Sequence, residues 1–202
     1  MTELYQVIPS SIPKPLAHGK FVTEEPPIHF LLSEYVDMTK DNSDPEILCA
    51  KIVELHRKSV SPKGKFGFKV WTCNGRTPQA VEWDDSWTSL FRKMMIHVLA
   101  EDIKANGRWP EYERVGKTIF SDVIPRLIGA LERDVRGMEP CLVQGDLWEG
   151  NTGISNKTGE IMLFDAGSYY AHNEMESRTG VACMTRSTRK PTQEYIRGCG
   201  GA

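Results

Sequence analysis

Apolar positions along the 202-residue chain change period several times, and each change predicts an element. Residues 1 to 28 mix short apolar stretches with prolines, and Pro13 to Phe21 reads as an extended segment reaching an edge strand. Ile28 to Val36 is apolar with aromatic and β-branched members, the pattern of a strand. The polar run from Asp37 to Asp44 reads as a hinge or linker. Pro45 then opens a helix with Asp44 as its N-cap and with Ile47, Leu48, Ile52 and Leu55 on one face, stopping before Pro62. Gly64 to Phe68 and Thr72 to Trp83 are rich in turn formers and predict an ordered loop. Asp85 or Ser86 caps a long helix to about Asn106, ended by Gly107, whose stripe of Trp87, Leu90, Phe91, Met94, Met95, Val98 and Leu99 belongs in a core. A second helical pattern runs from Glu111 to about Arg136, and Pro125 predicts a kink or break in it. Pro140 to Val143 is a brief strand. Ile154 and Ile161 to Phe164 flank a turn containing Asn156 and Gly159, a hairpin signal. Beyond Glu176 the periodicity is lost.

Composition adds bounds. Hydrophobic residues make up 40% and charged residues 26%, enough apolar material for a real core. A net charge of −2 carries no bulk basicity, so neither nucleic acid nor an anionic membrane surface is an expected partner. Nothing approaches the roughly 18 consecutive apolar residues of a membrane span. The five cysteines are scattered and form no CxxC, and the chain starts without a basic stretch leading into an apolar run. The expectation is reduced thiols in a cytoplasmic protein. Cys199 lies four from the end, but Gly200, Gly201 and Ala202 are not the aliphatic pair of a prenylation signal.

The chemistry concentrates between residues 144 and 167. Gln144-Gly145-Asp146-Leu147-Trp148-Glu149-Gly150-Asn151 follows the short strand, and Phe164-Asp165-Ala166-Gly167 follows the hairpin. Phosphoryl transfer mostly requires positioning and charge neutralisation. One carboxylate steers an acceptor hydroxyl, while an amide and a second carboxylate offer hard oxygens to magnesium. An acid, an amide five residues on and a second acid beyond a hairpin meet that need from two sides. Each acid alone would be an ordinary turn or strand-end residue. His172 follows the second acid and is a substrate-contact candidate beside its commoner structural role; His56 lies near an apolar helix face and reads as structural. No zinc spacing or Gly-x-Ser-x-Gly elbow is present.

The stretch from Cys141 to Thr152 resembles the HGDLWxGN signature of the fructosamine/ketosamine 3-kinases. Phe164-Asp165-Ala166, Tyr170 to Glu174, Leu55 to Ser59, Lys65-Phe66-Gly67-Phe68, Gly75, Pro78-Gln79, Trp83 and Trp87 fit the same family, over roughly residues 9 to 176. The overall look is of its fungal protein-ribulosamine 3-kinase-like branch. The resemblance implies an α+β, protein-kinase-like fold with a partial N-lobe of edge and hinge strands and a mainly helical C-lobe with a catalytic-loop hairpin. Residues 1–38 would be the N-lobe remnant and hinge, 39–176 the C-lobe, and 177–202 a divergent, disordered tail. It implies transfer of the ATP γ-phosphate to the sugar 3-hydroxyl of ketosamines, as small molecules or on glycated protein lysines. Asp146 matches the catalytic base, Asn151 and Asp165 the Mg2+ ligands, and Glu34, Tyr35 and Val36 the hinge that holds ATP. By the same resemblance Trp148 would offer an aromatic wall to the sugar, while His172 stays the substrate-contact candidate named above.

The departures from that family are specific. Gln144 replaces its histidine. No Gly-rich loop, strand lysine or helix glutamate precedes the hinge, and Lys20 lacks the surroundings to replace that lysine. The further C-terminal helices are missing, so the chain reads as truncated at both ends. Re-reading Ser177 to Met184 in a shifted frame permits a stretch containing Asp-Trp-Arg-Cys, which the family has there; the coding DNA tests that idea. The alternative is a catalytically dead pseudokinase or truncated gene product with at most a binding role. Aminoglycoside and choline kinases share the acid and amide logic but not the Lys65-Phe66-Gly67-Phe68 and Pro78-Gln79 motifs.

Overall fold

A computed structural model of the chain describes residues 1–23, 25, 28–39, 44–133 and 138–176. In chain order the elements are α1 (Thr2–Val7), a 3₁₀ turn (Pro9–Ser11), β1 (Pro15–Lys20), β2 (His29–Ser33), β3 (Met38–Thr39), α2 (Pro45–Lys58), β4 (Thr72–Asn74), β5 (Thr77–Gln79), α3 (Trp87–Asn106), α4 (Pro110–Thr118), a π-helical turn (Ile119–Val123), α5 (Ile124–Glu132), β6 (Cys141–Val143), a 3₁₀ turn (Glu149–Asn151), β7 (Thr152–Ser155), β8 (Ile161–Leu163), β9 (Tyr169–Ala171) and a last 3₁₀ turn (Asn173–Glu176). They form two compact units. One holds Met1–Ser59, Asp146–Ala166 and Glu176; the other holds Val60–Gly145 and Gly167–Met175. None of the described helices is long and apolar enough to cross a membrane. The expected tail and its frame-shifted reading lie outside the described residues, as do Arg136 and most of the polar run after Thr39.

In the first unit, α2 forms as its sequence predicts. Asp44 accepts a hydrogen bond from Glu46 N–H at 2.9 Å, and Pro45 occupies the first helical position, where its missing donor costs nothing. Its buried face is Leu48, Cys49, Ile52, Leu55 and His56, whereas Ile47 is exposed. Residues 1–12, for which the sequence pattern named no element, fold into α1 and a 3₁₀ turn. Leu4, Ile8 and Ile12, four residues apart, are all buried, and Pro9 stops the helix. The hinge run also contains an unexpected strand: β3 pairs antiparallel with β7, Met38 opposite Ser155 and Thr39 opposite Ile154. β7 pairs in turn with β8, giving the order β3-β7-β8. The other strands, β1 and β2, form a separate antiparallel pair. β2 is shorter than its apolar run, and Phe30, Leu31 and Leu32 are exposed although they alternate between its faces.

In the second unit, α3 is capped by Ser86, whose hydroxyl accepts from Ser89 N–H at 3.1 Å, and it ends at Gly107 with φ +85°. Glu132 of α5 reinforces the cap, accepting from Ser86 Oγ at 3.0 Å and Trp87 N–H at 2.8 Å. A carboxylate suits the orphan donors and positive end of a helix N-terminus. The break at Pro125 takes the form of the π-helical turn just before it, because a proline cannot donate to the preceding turn. The core gathers Phe66, Val81, Trp87, Leu90, Met94, Cys141, Val143, Tyr169 and Ala171. Farther along the same stripes Val98, Val115, Val123, Leu127 and Leu131 are exposed, so the expected continuous core faces are buried only in part. The expected loop between Thr72 and Gln79 is a β4–β5 hairpin turning at Gly75. β6 pairs with β9, Cys141 opposite Ala171.

Candidate functional site

The β7–β8 hairpin builds the site. Its registers are Thr152 with Leu163, Gly153 with Met162 and Ile154 with Ile161. At the closed end Ser155 N–H donates to Glu160 O at 2.9 Å and Gly159 turns with φ +72°. At the open end Phe164 N–H donates to Asn151 O at 3.1 Å. Asn151 therefore enters the hairpin beside the point where Asp165 leaves it.

Asn151, 4% exposed, is the junction. Its side-chain amide donates to Asp146 O at 2.9 Å, to Asp146 Oδ2 at 3.1 Å and to Asp165 O at 3.3 Å. One buried amide thus ties the backbones of both acid-bearing loops and orients the Asp146 carboxylate. The structure brings Asp146, Asn151 and Asp165 together as the spacing predicts. With its N–H groups turned to Asp146 and Asp165, Asn151 keeps its side-chain oxygen as an acceptor. That oxygen and the Asp165 carboxylate are hard donors of the kind magnesium takes. Asp165 has φ +48°, the one described non-glycine residue with positive φ. Such a conformation costs on the order of 1–3 kcal/mol and persists only where the surroundings impose it.

Trp148 is part-exposed, and its ring lies over Gly150, where a Cβ would collide with it. Glycine two residues on therefore lets this aromatic surface lie flat and open to solvent. Of the hinge residues, Glu34 N–H donates to Lys14 O at 2.8 Å and the Glu34 carboxylate accepts from Lys14 N–H at 3.4 Å. Tyr35 is 87% exposed and Val36 half-buried. Asp37 O accepts from Asn156 N–H at 2.9 Å, which puts the hinge's end at the closed end of the hairpin. Strand β7 runs between that point and Asn151, a span of five residue steps or about 16 Å at 3.3 Å per residue. His172 belongs to the second unit and is half-buried.

One buried polar pair had no local signal. His56 Nε2 lies 3.3 Å from Glu176 Oε2, with both side chains buried, and 120 positions separate them. Glu54 on the same helix is more open; hydrogen bonds from Lys58 and Lys51 hold its carboxyl below the ordinary range.

The family profile described as fructosamine kinase matches residues 1–186. The chain is similar to the protein-ribulosamine 3-kinase, chloroplastic, of Oryza sativa subsp. japonica, with 33% identity over 148 residues covering 73% of this chain and 41% of that protein. To the ketosamine-3-kinase of Mus musculus it is 26% identical over 190 residues, covering 82% of this chain and 57% of that one. It therefore spans about two fifths to three fifths of the length of these relatives. Among solved structures it resembles a protein assigned as a fructosamine-3-kinase from Haemophilus somnus 129PT, with a TM-score of 0.64, 21% identity, and coverage of 97% of this chain and 62% of that one. A similarly assigned protein from Thermobifida fusca YX-ER1 gives a TM-score of 0.61 at 16% identity, covering 84% of this chain and 54% of that one. These likenesses show a shared mixed helix and strand fold.

Proposed function

This chain belongs to the fructosamine kinase family, and we propose that it carries the acceptor-activating and magnesium-holding part of an ATP-dependent ketosamine 3-kinase site. The observation that carries the reading is the Asn151 amide, hydrogen-bonded to Asp146 and to Asp165 at once. In this reading residues 1–38 belong to a kinase-like N-lobe with its hinge and residues 39–176 to the C-lobe. The acceptor is a ketosamine sugar, free or on a glycated protein lysine, and the compartment is the cytoplasm; the rice relative is named as chloroplastic.

Asp146 is the base. The hydrogen bond from Asn151 fixes its carboxylate, which accepts the proton of the sugar 3-hydroxyl as that oxygen bonds to the terminal phosphorus of ATP and the bridging P–O bond breaks, releasing ADP. Asn151 and Asp165 hold Mg2+, whose contribution when bound is to neutralise phosphate charge and align the transferred group. The backbone of Glu34 to Val36 receives adenine. Trp148 offers a flat wall to the sugar.

The test is direct. The purified chain is expected to bind Mg2+ with ATP and to lose that binding in Asp165→Asn. With a ribulosamine or fructosamine acceptor it is expected to release ADP, and Asp146→Asn should lower the rate by about 10² to 10⁴. A folded wild-type chain that binds no magnesium nucleotide, or turnover that survives Asp146→Asn, overturns the reading.

A further inference from the structure

The Pro78-Gln79 pair has no part in the reading above, yet the structure gives Gln79 a definite task. Gln79 sits on β5 and is 9% exposed. Its side-chain amide has two hydrogens and uses both: one reaches Thr72 Oγ1 at 3.2 Å and the other the Gly167 carbonyl at 3.3 Å. Gly167 is the second residue after Asp165.

The backbone at Gly167 is held closely on other sides too. A Cβ on Gly167 would lie 2.6 Å from Cys73 O, and a Cβ on Gly145 would lie 2.5 Å from Gly167 O. Gly145 itself has φ +84°, so only glycine fits there without strain. Next along, Ser168 Oγ donates to Gln144 O at 3.3 Å, both residues being buried. All these contacts lie within the second unit. They clamp one segment that ends a single residue before Asp146 and another that begins two residues after Asp165. Asp165, with φ +48°, lies two residues before that second segment. Strain of this kind survives only where flanking backbone leaves no relaxed alternative. In the clamp the Gln79 side chain donates directly to the Gly167 carbonyl.

We propose that Gln79 is a positioning residue for the metal site: by holding the Gly167 carbonyl it keeps Asp165 in its ligating conformation and so sets the affinity for the divalent ion. This rests on Asp165 being a magnesium ligand. Partners that orient a ligand from behind typically account for about 10- to 100-fold in metal affinity or activity.

The probe is Mn2+ with ADP, titrated into the full chain by paramagnetic relaxation of water protons. Gln79→Met keeps the volume of the side chain and removes both donors. Its Mn2+ dissociation constant should rise at least about tenfold, alongside the lower melting temperature that losing two buried hydrogen bonds brings. Ser61→Ala is the control: it removes the bond from Ser61 Oγ to Lys65 O in the same unit and should lower the melting temperature without moving the Mn2+ constant. Should Gln79→Met not fold, Thr72→Val releases the same amide from its other anchor and is expected to weaken Mn2+ binding in the same direction. Unchanged affinity in the folded variant overturns the proposal, as does a loss that Ser61→Ala reproduces. A wild-type chain that binds no Mn2+ with ADP removes the magnesium reading and this proposal with it, whereas normal wild-type binding with an indifferent Gln79→Met removes the proposal alone.

Discussion

Two pairs of strands in the first unit have similar sequences and opposite fates. Ile161-Met162-Leu163 of β8 is buried at every position, while Phe30-Leu31-Leu32 of β2 is exposed at every position. Both are apolar runs, and both pair antiparallel with a neighbour. The difference lies in what covers them. β8 packs against α2 and the turn Pro9–Ser11, and its partner β7 is paired on both edges. β1 and β2 form a two-stranded ribbon, an arrangement marginal without packing on a face. Apolar composition predicts that a segment will extend; it does not say whether anything will cover it.

Four measurements bear on that contrast. The largest effect belongs to the packed hairpin. Leu163 is 0% exposed, and Leu163→Ala should cost about 2–5 kcal/mol in a denaturant titration. Asn151→Ala removes the donor shared by Asp146 and Asp165 and should cost about 1–3 kcal/mol, with Mg2+ nucleotide binding lost together with stability. Leu32 is 53% exposed, so Leu32→Ala should stay within about 0.5 kcal/mol of wild type. A cost near that of Leu163→Ala would mean that the ribbon is covered in solution. Replacing Leu31 and Leu32 by Asp should reduce binding of an apolar dye such as ANS, because each removes apolar surface from one face.

The smallest effect tests whether charge or packing holds the hairpin. Lys51 on α2 reaches both Glu54 and Glu160, the latter at the closed end of β7–β8. Hydrogen bonds from Lys58 and Lys51 depress the Glu54 carboxyl below its ordinary 4.5. A carboxyl depressed by folding stabilises above its unfolded value and loses that contribution as pH falls through the lower folded value. Glu54→Gln should therefore be slightly less stable at pH 7, by no more than about 0.5 kcal/mol after solvent screening, and its melting curve should meet that of wild type in acid. A larger loss would put the tether, rather than burial, in charge of the hairpin.

Much of the site was legible in the residues because its rules are short-range. The Asp44 cap, the Ser86 cap and the Gly107 stop each act within a turn. The Asn156 to Gly159 turn sets the register of β7 on β8, and that register places Asn151 beside the exit to Asp165. An acid, an amide and a second acid separated by a hairpin could therefore be predicted to meet. The break at Pro125 was equally local, though its π-helical form was not read.

Other features depended on partners far along the chain. Nothing near Met38 announces a strand; it becomes one because β7 offers it an open edge. His56 finds Glu176 across 120 positions, and Gln79 finds Gly167 across 88. The exposure of Phe30 or Leu127 cannot be read from its apolar neighbours, since burial depends on whether another element lies against that face. Steric preferences and hydrogen bonds within a turn are written into adjacent residues and survive any tertiary context. Strand partners, covered faces and the clamp behind Asp165 arise only once the chain has folded back on itself, because their energies come from contacts that local sequence does not contain.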